Sequence, residues 1–522
     1  MIIKRRCNAI DFLKLPSSDW SNERQEIGNC FTSHFRNVFT SFDPILDEEL
    51  LSLFDNCISL EENTSICEIP TEQEIFSALL EIGSTKAPGL DGFTTLFYKK
   101  YWHIIKDAVH SSIWNFFRSN HLLKKQNHTF IALIPKKLRA SSVHQFKPIS
   151  LCNIIYKIIS KILANKFKGL LHHFISPFQS AFVPSRNIQD NTILVRELFN
   201  LINSKRGRGG LMAIKIDMEK VFNRMEWSFI LAILSKLGFH STWINWIRIC
   251  TTSPSFSILI NGSPFDLFNP ERGLRQGDPL SKFLFILGSE VLSRLLIRQE
   301  SQDLLKGIKI AWNCSPISHL LFADDLILFA KATSSEANIP KLVLDKYCYW
   351  YGQAINTLKS SIHFSKNMTH DVVNSISSIL PYKRTSSSSK YLGLPLFLSK
   401  SKAGAFKDIL DKVSGKIEGW HAKTLSQAGR TVLIKLMASS IPSYDMSSFL
   451  MPISFSFSLD KIFKNLWWGF PKDKTRNLSL KSWSFICLLK EEGGLGFHRM
   501  HEFNLSFIAK LGSKLISNLD CL

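Results

Sequence analysis

Two short apolar runs that end on carboxylates constrain this chain more than any other feature of its sequence. Residues 211–216 (Leu-Met-Ala-Ile-Lys-Ile) predict a buried strand, and Asp217 follows it directly. Residues 319–330 hold two apolar runs joined at Asp324 and Asp325, which predicts a buried hairpin with the acidic pair at its turn. A single carboxylate at the end of a strand is more commonly a solvated turn residue or a helix cap. Because Leu, Ile and Phe closely flank these acids, we expect at least one of them beside a buried sheet.

Neighbouring carboxylates beside a buried sheet repel each other unless a cation compensates their charge. Hard oxygen ligands suit Mg²⁺ or Mn²⁺, ions that keep waters and recruit substrate phosphates as further ligands. Two such ions about 3.5–4 Å apart stabilise both the attacking and the leaving oxygen in phosphoryl transfer. The pattern is compatible with a two-metal site, but spacing along the chain does not by itself bring Asp217 and Asp324 together in space.

Composition narrows the class of protein. Hydrophobic residues make up 45% and charged residues 20% of 522, which is typical of a globular chain with more than one core. No apolar run is long enough to predict a membrane span, and the basic cluster Lys4-Arg5-Arg6 lacks the apolar segment of a signal peptide. The ten Cys never fall in zinc-ligand spacing, which favours reduced thiols and an intracellular protein.

The chain is strongly basic. Its formal net charge of +21 favours a polyanionic partner, because each neutralised phosphate releases counterions. A soluble basic protein without a specific partner is the alternative that charge alone leaves open. An anionic membrane surface is a third, but no basic amphipathic helix supports it.

Periodicity predicts alternating helices and strands. Helical spacing is found at Ile27 to Phe39, after a capping Thr71, over 153–173, over 218–237, and from Pro279, capped by Asp278, to Arg298. Strands are predicted over 129–135 and 257–260, and a turn-rich loop over 85–93. A polar connector at 386–389 precedes a region that is expected to be helical and contains Trp467, Trp468 and Trp483.

Ten motifs occur in one order along nearly the whole chain, and two of them contain the acids described above. They are Lys86-Ala-Pro-Gly-Leu-Asp-Gly-Phe93, Phe146-Lys-Pro-Ile-Ser-Leu151, Gln179-Ser-Ala-Phe182 with Arg186 and Asp190-Asn191, Ile216-Asp-Met-Glu-Lys-Val-Phe-Asn223, Arg272-Gly-Leu-Arg-Gln-Gly-Asp-Pro-Leu-Ser281, Phe322-Ala-Asp-Asp325, Gly352-Gln with Asn356 and Lys359-Ser360, Tyr391-Leu-Gly-Leu-Pro395, Leu425-Ser with Ala428-Gly-Arg430, and Gly493-Gly-Leu-Gly496. In this order they resemble the reverse transcriptases of LINE-type non-LTR retrotransposons, particularly those of plants.

The resemblance implies a fold and a reaction. The fold would be α+β, a right-hand polymerase with fingers, an antiparallel-sheet palm and a helical thumb. A helical N-terminal extension would occupy 1–80, fingers and palm 81–400, and a thumb-like helical and C-terminal region 401–522. The reaction would be RNA-directed DNA synthesis, with an RNA template, a DNA primer or target and deoxynucleoside triphosphates as partners, and without an endonuclease or ribonuclease H in this region. The place of action would be intracellular and, during function, nuclear, although no clear targeting signal is present.

The resemblance also assigns roles to residues. Asp217 and Asp324 would bind two Mg²⁺ or Mn²⁺ ions, with Asp325 in support, and Lys359 would donate a proton to the leaving pyrophosphate. Cations at Lys136, Lys137 and Lys147 would contact the triphosphate. Phe222 would lie beneath the sugar and exclude a 2′-hydroxyl, and Gln276-Gly277 would allow close backbone approach to nucleotide and template. Plainer alternatives are core packing for Phe222, a solvated cation for Lys359 and an ordinary turn glycine for Gly277.

Four residues near the predicted site depart from the family pattern. Asn223 replaces a usual Asp, Val221 a usual Ala, Lys282 a usual Pro, and Lys147 a usual Arg, which could grip phosphate bidentately. These departures favour some decay of the element copy. The alternatives are therefore a remnant that only binds RNA or, with less support, a group II intron maturase-like protein.

Overall fold

The computed structural model describes residues 8–397, 406–419, 425–469 and 479–517. The Lys4-Arg5-Arg6 cluster and parts of the predicted region 401–522 lie outside these residues. The chain divides into two compact units, which we call the first and the second unit. The first comprises Met1–Arg186, Lys205–Ile308 and Pro316–Arg384, and the second Asn187–Ser204, Lys309–Ser315 and Thr385–Leu522.

Two short strands come first, and helices then alternate with pairs of strands or single strands along the chain. Up to the first long helix they are β1 (Leu13–Lys14), β2 (Trp20–Ser21), α1 (Arg24–Phe39), α2 (Glu48–Leu51), α3 (Leu60–Cys67), α4 (Glu72–Glu81), α5 (Thr95–Lys100), α6 (Trp102–Ser119), α7 (Lys124–Asn127), β3 (Thr129–Pro135), β4 (Phe146–Cys152) and α8 (Ile154–Phe174). The central elements are α9 (Ile188–Ser204), β5 (Leu211–Ile216), α10 (Trp227–Lys236), α11 (Ser241–Thr252), β6 (Phe256–Ile260), β7 (Ser263–Phe268), α12 (Ser281–Ser301), β8 (His319–Phe322) and β9 (Asp325–Lys331).

The remaining elements are mostly helical. They are α13 (Ser334–Tyr351), β10 (Ser361–Phe364), α14 (His370–Ile379), β11 (Lys383–Arg384), β12 (Lys390–Tyr391), β13 (Leu394–Pro395), α15 (Lys407–Gly419), α16 (Gln427–Leu433), α17 (Ser443–Ser448), α18 (Ile453–Trp468), α19 (Trp483–Cys487) and α20 (Met500–Ser517). The combination of separate sheets with many helices confirms the predicted α+β class.

A five-stranded sheet forms the centre of the first unit. Its order is β11-β10-β5-β9-β8, and all neighbours are antiparallel except β10 and β11. Strand β9 is buried at every position from Leu326 to Ala330, so both of its faces are covered. The apolar helix α12 belongs to the same core and is buried along most of its length, as its nearly continuous apolar sequence requires.

A second sheet carries the β3–β4 hairpin. Its order is β4-β3-β6-β7, with β3 and β6 parallel and the other pairs antiparallel. Helix α1 packs on it and buries all five residues that the helical spacing predicted, from Ile27 to Phe39. Thr71 caps α4 in a reciprocal capping box with Glu74, as predicted.

Two predicted helix starts are wrong. The helical spacing over 218–237 is a run of turns as far as residue 224, and α10 begins only at Trp227. Helix α12 begins at Ser281 and not at Pro279; Asp278 hydrogen-bonds the hydroxyls of Ser160 and Ser281 and does not cap the helix. In both places a residue distant in sequence forms a hydrogen bond with the segment: Leu274 with Phe222, and Ser160 with Asp278.

The second unit has its own helical core. Buried aromatic and aliphatic residues of α15, α17 and α18, among them Val413, Leu459 and Trp467, contribute to it. Within the same unit Lys514 pairs with Asp190 at 2.9 Å, which ties α20 to α9. Among the described residues, we find no helix that combines the length and apolar character required to cross a bilayer.

Candidate active site

The strand register brings the three predicted carboxylates to one end of the five-stranded sheet. The paired part of β5 and β9 ends with Ile216 opposite Leu326, and Asp217 and Asp325 are the adjoining residues at that end. Opposed residues of antiparallel strands have Cα atoms roughly 4.5–5.5 Å apart. Asp324 occupies the two-residue turn between β8 and β9, since Phe322 pairs directly with Asp325.

These carboxylates influence one another electrostatically. Burial raises the pKa of Asp217, and the charges of Asp324 and Glu219 raise it further, against the opposing effect of Lys359 and Lys215. Burial likewise raises the pKa of Asp325, with Asp324 and Asp217 adding to the shift and Lys215 opposing it. The acids therefore form a repelling group whose charge is only partly compensated by lysines.

The loop between α13 and β10 fixes the backbone of Asp217. Asn356 N–H donates to the carbonyl of Asp217 at 2.8 Å, and the Asp217 N–H donates to Ser360 Oγ at 3.1 Å. The same loop carries Lys359, whose Nζ lies 3.8 Å from Asp217 Oδ1 while its side chain is 69% exposed. The structure thus brings the predicted proton donor next to a predicted metal ligand.

Phe222 lies in the turns after Asp217 and does not start a helix. Its carbonyl accepts a hydrogen bond from Leu274 N–H at 2.6 Å, and its half-buried ring packs against Phe285 with centroids 4.9 Å apart. Phe222 therefore packs on the core with one part of its ring and keeps another part accessible. Both the packing and the sugar-contact interpretation are compatible with this position.

Gln276 and Gly277 lie against strand β4. Ser150 N–H donates to the Gln276 carbonyl at 3.0 Å. Gly277 has a φ of 108°, which side-chain-bearing residues rarely adopt, and the nearest atom to a Cβ built there is Ser150 O at 3.7 Å. The glycine is thus needed for its conformation, and the space beside it is open.

Cations gather on the β3–β4 hairpin. Lys136 follows β3 directly and donates from Nζ to the His144 carbonyl at 2.9 Å. Its pKa is lowered by burial and by the neighbouring charges of Lys359 and Lys147. Lys147 and Lys137 are exposed on the same hairpin. Because Lys359 influences both Lys136 and Asp217, the basic hairpin lies within electrostatic range of the acidic sheet end.

Comparison with known proteins bears directly on this arrangement. The family model for reverse transcriptase (RNA-dependent DNA polymerase) matches residues 134–396, half of the chain and a span that contains every carboxylate and cation described above. The chain belongs to the reverse transcriptase family. The resemblance predicted from sequence motifs is confirmed.

The relatives of this reverse transcriptase include proteins of transposable elements. It is 27% identical over 417 residues to an uncharacterized 149 kDa protein of transposon TX1 from Xenopus laevis, which covers 78% of this chain and 31% of that protein. It is 27% identical over 261 residues to the Pol polyprotein of a type-2 retrotransposable element of Drosophila melanogaster, covering 50% and 23%. A putative ribonuclease H protein of Arabidopsis thaliana is 36% identical over 129 residues, covering 25% and 21%. The chain thus spans less than a third of the length of these three relatives.

The carboxylates of the reverse transcriptase fit a divalent cation. Within the described residues no three His, Cys, Asp or Glu side chains form a ready-made metal cage. Mg²⁺ in phosphate-handling sites is typically bound by one or two carboxylates together with waters and substrate phosphates, so a full protein cage is not required. The mutual repulsion of Asp217, Asp324 and Asp325 is the observation that favours a cation at this position.

Sequence reasoning missed a pair of residues beside the basic hairpin of the reverse transcriptase. Lys220 Nζ lies 2.6 Å from His34 Nε2, and the Lys220 backbone has a φ of 48°. Burial, followed by the charges of Lys220, His144 and Lys136, lowers the pKa of His34 to about 3, while burial and Lys136 lower that of Lys220 to about 8. His34 lies on α1, far away in sequence, and only its place in the fold could have identified it.

Proposed function

We propose that this chain is an RNA-directed DNA polymerase, which transfers deoxynucleotides from their triphosphates to a primer 3′-hydroxyl on an RNA template. The observation that carries this proposal is the strand pairing that brings Asp217 to the same sheet end as Asp325 and the turn with Asp324, where the three acids interact electrostatically. Membership of the reverse transcriptase family supports the same reaction. The net charge of +21 suits RNA and DNA as partners.

Asp217 and Asp324 are the proposed ligands of two Mg²⁺ or Mn²⁺ ions, and Asp325 supports them from the opposite strand. When bound, such ions supply Lewis-acid stabilisation of the attacking and leaving oxygens. Lys359, 3.8 Å from Asp217, holds a proton at Nζ that it can donate to the leaving pyrophosphate. The protein's own contribution is to hold these groups in fixed positions before substrate arrives.

The nucleotide would lie between the acidic sheet end and the basic hairpin. Lys136, Lys137 and Lys147 neutralise the triphosphate, and Gly277 leaves space for the nucleotide and template backbone. Phe222 presents its accessible ring edge to the sugar and disfavours a 2′-hydroxyl by contact. The preferred substrates are therefore deoxynucleotides.

The proposed layout is a right hand. A helical extension covers 1–80, fingers and palm cover 81–400 with the five-stranded sheet as the palm, and a thumb-like helical and C-terminal region covers 401–522. The proposed place of action is inside the cell and, during function, in the nucleus, as the family resemblance implies.

Primer extension tests the proposal. The wild-type chain is given an RNA template, a DNA primer, deoxynucleoside triphosphates and either Mg²⁺ or Mn²⁺, beside Asp324→Asn prepared in the same way. We expect extension by the wild type and its loss in the variant, because Asn keeps the shape of Asp but not its charge. Equal signals from the two proteins would refute the proposed activity.

A second candidate is a decayed copy that binds RNA without extending primers. The substitutions Asn223, Val221, Lys147 and Lys282 favour it; Asn223 is 5% exposed and therefore belongs to the packed turn after Asp217. Two measurements on one protein preparation distinguish the two candidates. Salt-sensitive RNA binding without primer extension in either metal supports the remnant, and extension excludes it.

A further inference from the structure

The turn that holds Asp324 has an unfavourable backbone conformation. Ala323, the first of its two residues, has a φ of 55°, a region that residues with a Cβ rarely adopt. Its N–H and C=O lie outside the ladder between β8 and β9, where Phe322 pairs with Asp325. A strained turn of this kind persists only where other groups hold its backbone in place.

One buried side chain holds both polar groups of that residue. Gln179 is 0% exposed, and its Oε1 accepts from Ala323 N–H at 3.0 Å while its Nε2 donates to the Ala323 carbonyl at 3.4 Å. The remaining capacity of the amide is used by Ala181 N–H at 3.0 Å and Ser289 Oγ at 3.2 Å. An amide side chain can accept from the N–H and donate to the C=O of the same residue at the same time.

The segment around Gln179 is itself anchored to the sheet and to α12. Leu321 N–H donates to the Phe178 carbonyl at 2.9 Å, and Ser180 N–H donates to the Leu321 carbonyl at 3.1 Å, so the segment runs beside β8. Arg186 donates to the carbonyls of Gln179 at 2.6 Å and Ile175 at 3.0 Å. The motif Gln179-Ser-Ala-Phe182 with Arg186, to which the proposed reaction assigns no role, thus forms a brace for the turn.

We propose that Gln179 is a positioning residue, which holds the Ala323-Asp324 turn so that the Asp324 carboxylate faces Asp217. This inference rests on the proposed function for its effect on catalysis, but its structural part stands independently of activity. Residues that orient metal ligands typically change metal affinity or rate by 10–100-fold when they are replaced. A displacement of about 1 Å at such a site can cost about 100-fold in rate.

The test replaces Gln179 by Met, which keeps the length of the side chain and removes all four of its hydrogen bonds. We expect kcat for primer extension to fall about 100-fold and the half-saturating Mg²⁺ concentration to rise about tenfold, while KM for deoxynucleotide stays within about threefold. Gln126→Met is the matched control, since Gln126 is a half-buried glutamine that donates to Ser112 and lies outside the brace. It should leave all three quantities unchanged.

Two measurements do not depend on turnover. Hydrogen exchange of the peptide that covers 320–326 should accelerate in Gln179→Met, while exchange of strand β5 stays at the wild-type rate. Mn²⁺ binding to the protein without nucleotide, followed by electron paramagnetic resonance, should weaken about tenfold. If the wild type neither extends primers nor responds to metal, the proposed function fails, and the exchange experiment alone still decides whether Gln179 holds the turn.

Ser289→Ala keeps the experiment informative if Gln179→Met does not fold. It removes only one partner of the Gln179 amide, so we expect a change of a few-fold in the half-saturating Mg²⁺ concentration and in exchange of the turn. Wild-type exchange at 320–326 and wild-type metal dependence in a folded Gln179→Met protein would overturn the inference.

Discussion

The acidic end of the five-stranded sheet and the basic β3–β4 hairpin have opposite charge, but in both regions groups of like charge repel one another. At the sheet end, Asp217, Asp324 and Asp325 repel one another, and burial adds to the cost of the charge on Asp217 and Asp325. At the hairpin, Lys136 is disfavoured as a cation by burial and by Lys359 and Lys147. Groups of like charge that a fold holds together indicate an external partner of opposite charge.

The two regions differ in how firmly their groups are held. The acids follow from strand pairing, where a shift of one residue would turn every side chain to the other face. The hairpin cations Lys136, Lys137 and Lys147 belong to long side chains that are exposed. This difference teaches that the proposed metal ligands are fixed by the sheet, whereas the proposed phosphate contacts would be completed only when the ligand binds.

The largest expected effect comes from removing one acid. Asp217→Asn should reduce primer extension about 1,000-fold or more, because it removes a proposed direct ligand of the ions that stabilise the charge developing in the transition state. Asp325→Asn should reduce it less, by roughly tenfold, if Asp325 only supports the site. Single-turnover extension at saturating nucleotide measures both.

The same two substitutions should not lower the stability of the fold. Because the pKa values of Asp217 and Asp325 are raised in the folded state, each ionised acid destabilises the fold once the pH exceeds its unfolded pKa. Neither Asn variant should therefore lower the urea midpoint at pH 7 without metal. A lower midpoint in both would mean that the acids stabilise the fold and that the comparison of two repelling regions is mistaken.

Lys359 lies between the two regions, and kinetics of a Lys359 variant can distinguish two possible roles of its side chain. If it donates a proton to pyrophosphate, Lys359→Met should lower kcat about 100-fold and leave KM for deoxynucleotide within about threefold. If it only neutralises phosphate, KM should rise and kcat should change little. Steady-state kinetics with Lys366→Met as the surface-lysine control separates these outcomes.

A smaller effect is expected on the hairpin itself. Lys136→Met should raise KM for deoxynucleotide about tenfold, because Lys136 is the hairpin cation within range of Lys359 and, through it, of Asp217. Lys137→Met should raise it by less, since Lys136 is the cation whose Nζ is positioned by a hydrogen bond to the His144 carbonyl. Equal effects of the two variants would mean that the hairpin acts through its total charge and not through one positioned cation.

The smallest expected effect concerns His34. Its folded pKa of about 3 lies below the ordinary value of 6.5, so the unfolded chain binds a proton between these values and the folded chain does not. The wild type should therefore lose stability on acidification from pH 7 to pH 5. His34→Gln should lose about 1 kcal/mol less, as measured by urea unfolding at the two pH values. An identical loss in both proteins would show that His34 titrates normally.

Much of the local structure was predictable from sequence. Period-two and continuous apolar runs predicted β3, β5 and the β8–β9 hairpin, and a capping residue predicted the start of α4 at Thr71. The two errors, over residues 218–226 and at Pro279, occur next to the site. Both segments have helical spacing, but Leu274, Ser160 and other distant partners take up their polar groups and hold them as turns.

The sequence by itself determined which residues could do chemistry, because carboxylates after apolar strands and ordered motifs can be read from the chain. Only the tertiary structure decided which of them meet. The β5–β9 pairing brought Asp217 and Asp325 to the same sheet end, the α13–β10 loop brought Lys359 to Asp217, and α1 brought His34 to Lys220. The physical reason is that pairing register and packing between distant segments depend on the whole core, and no local pattern records them.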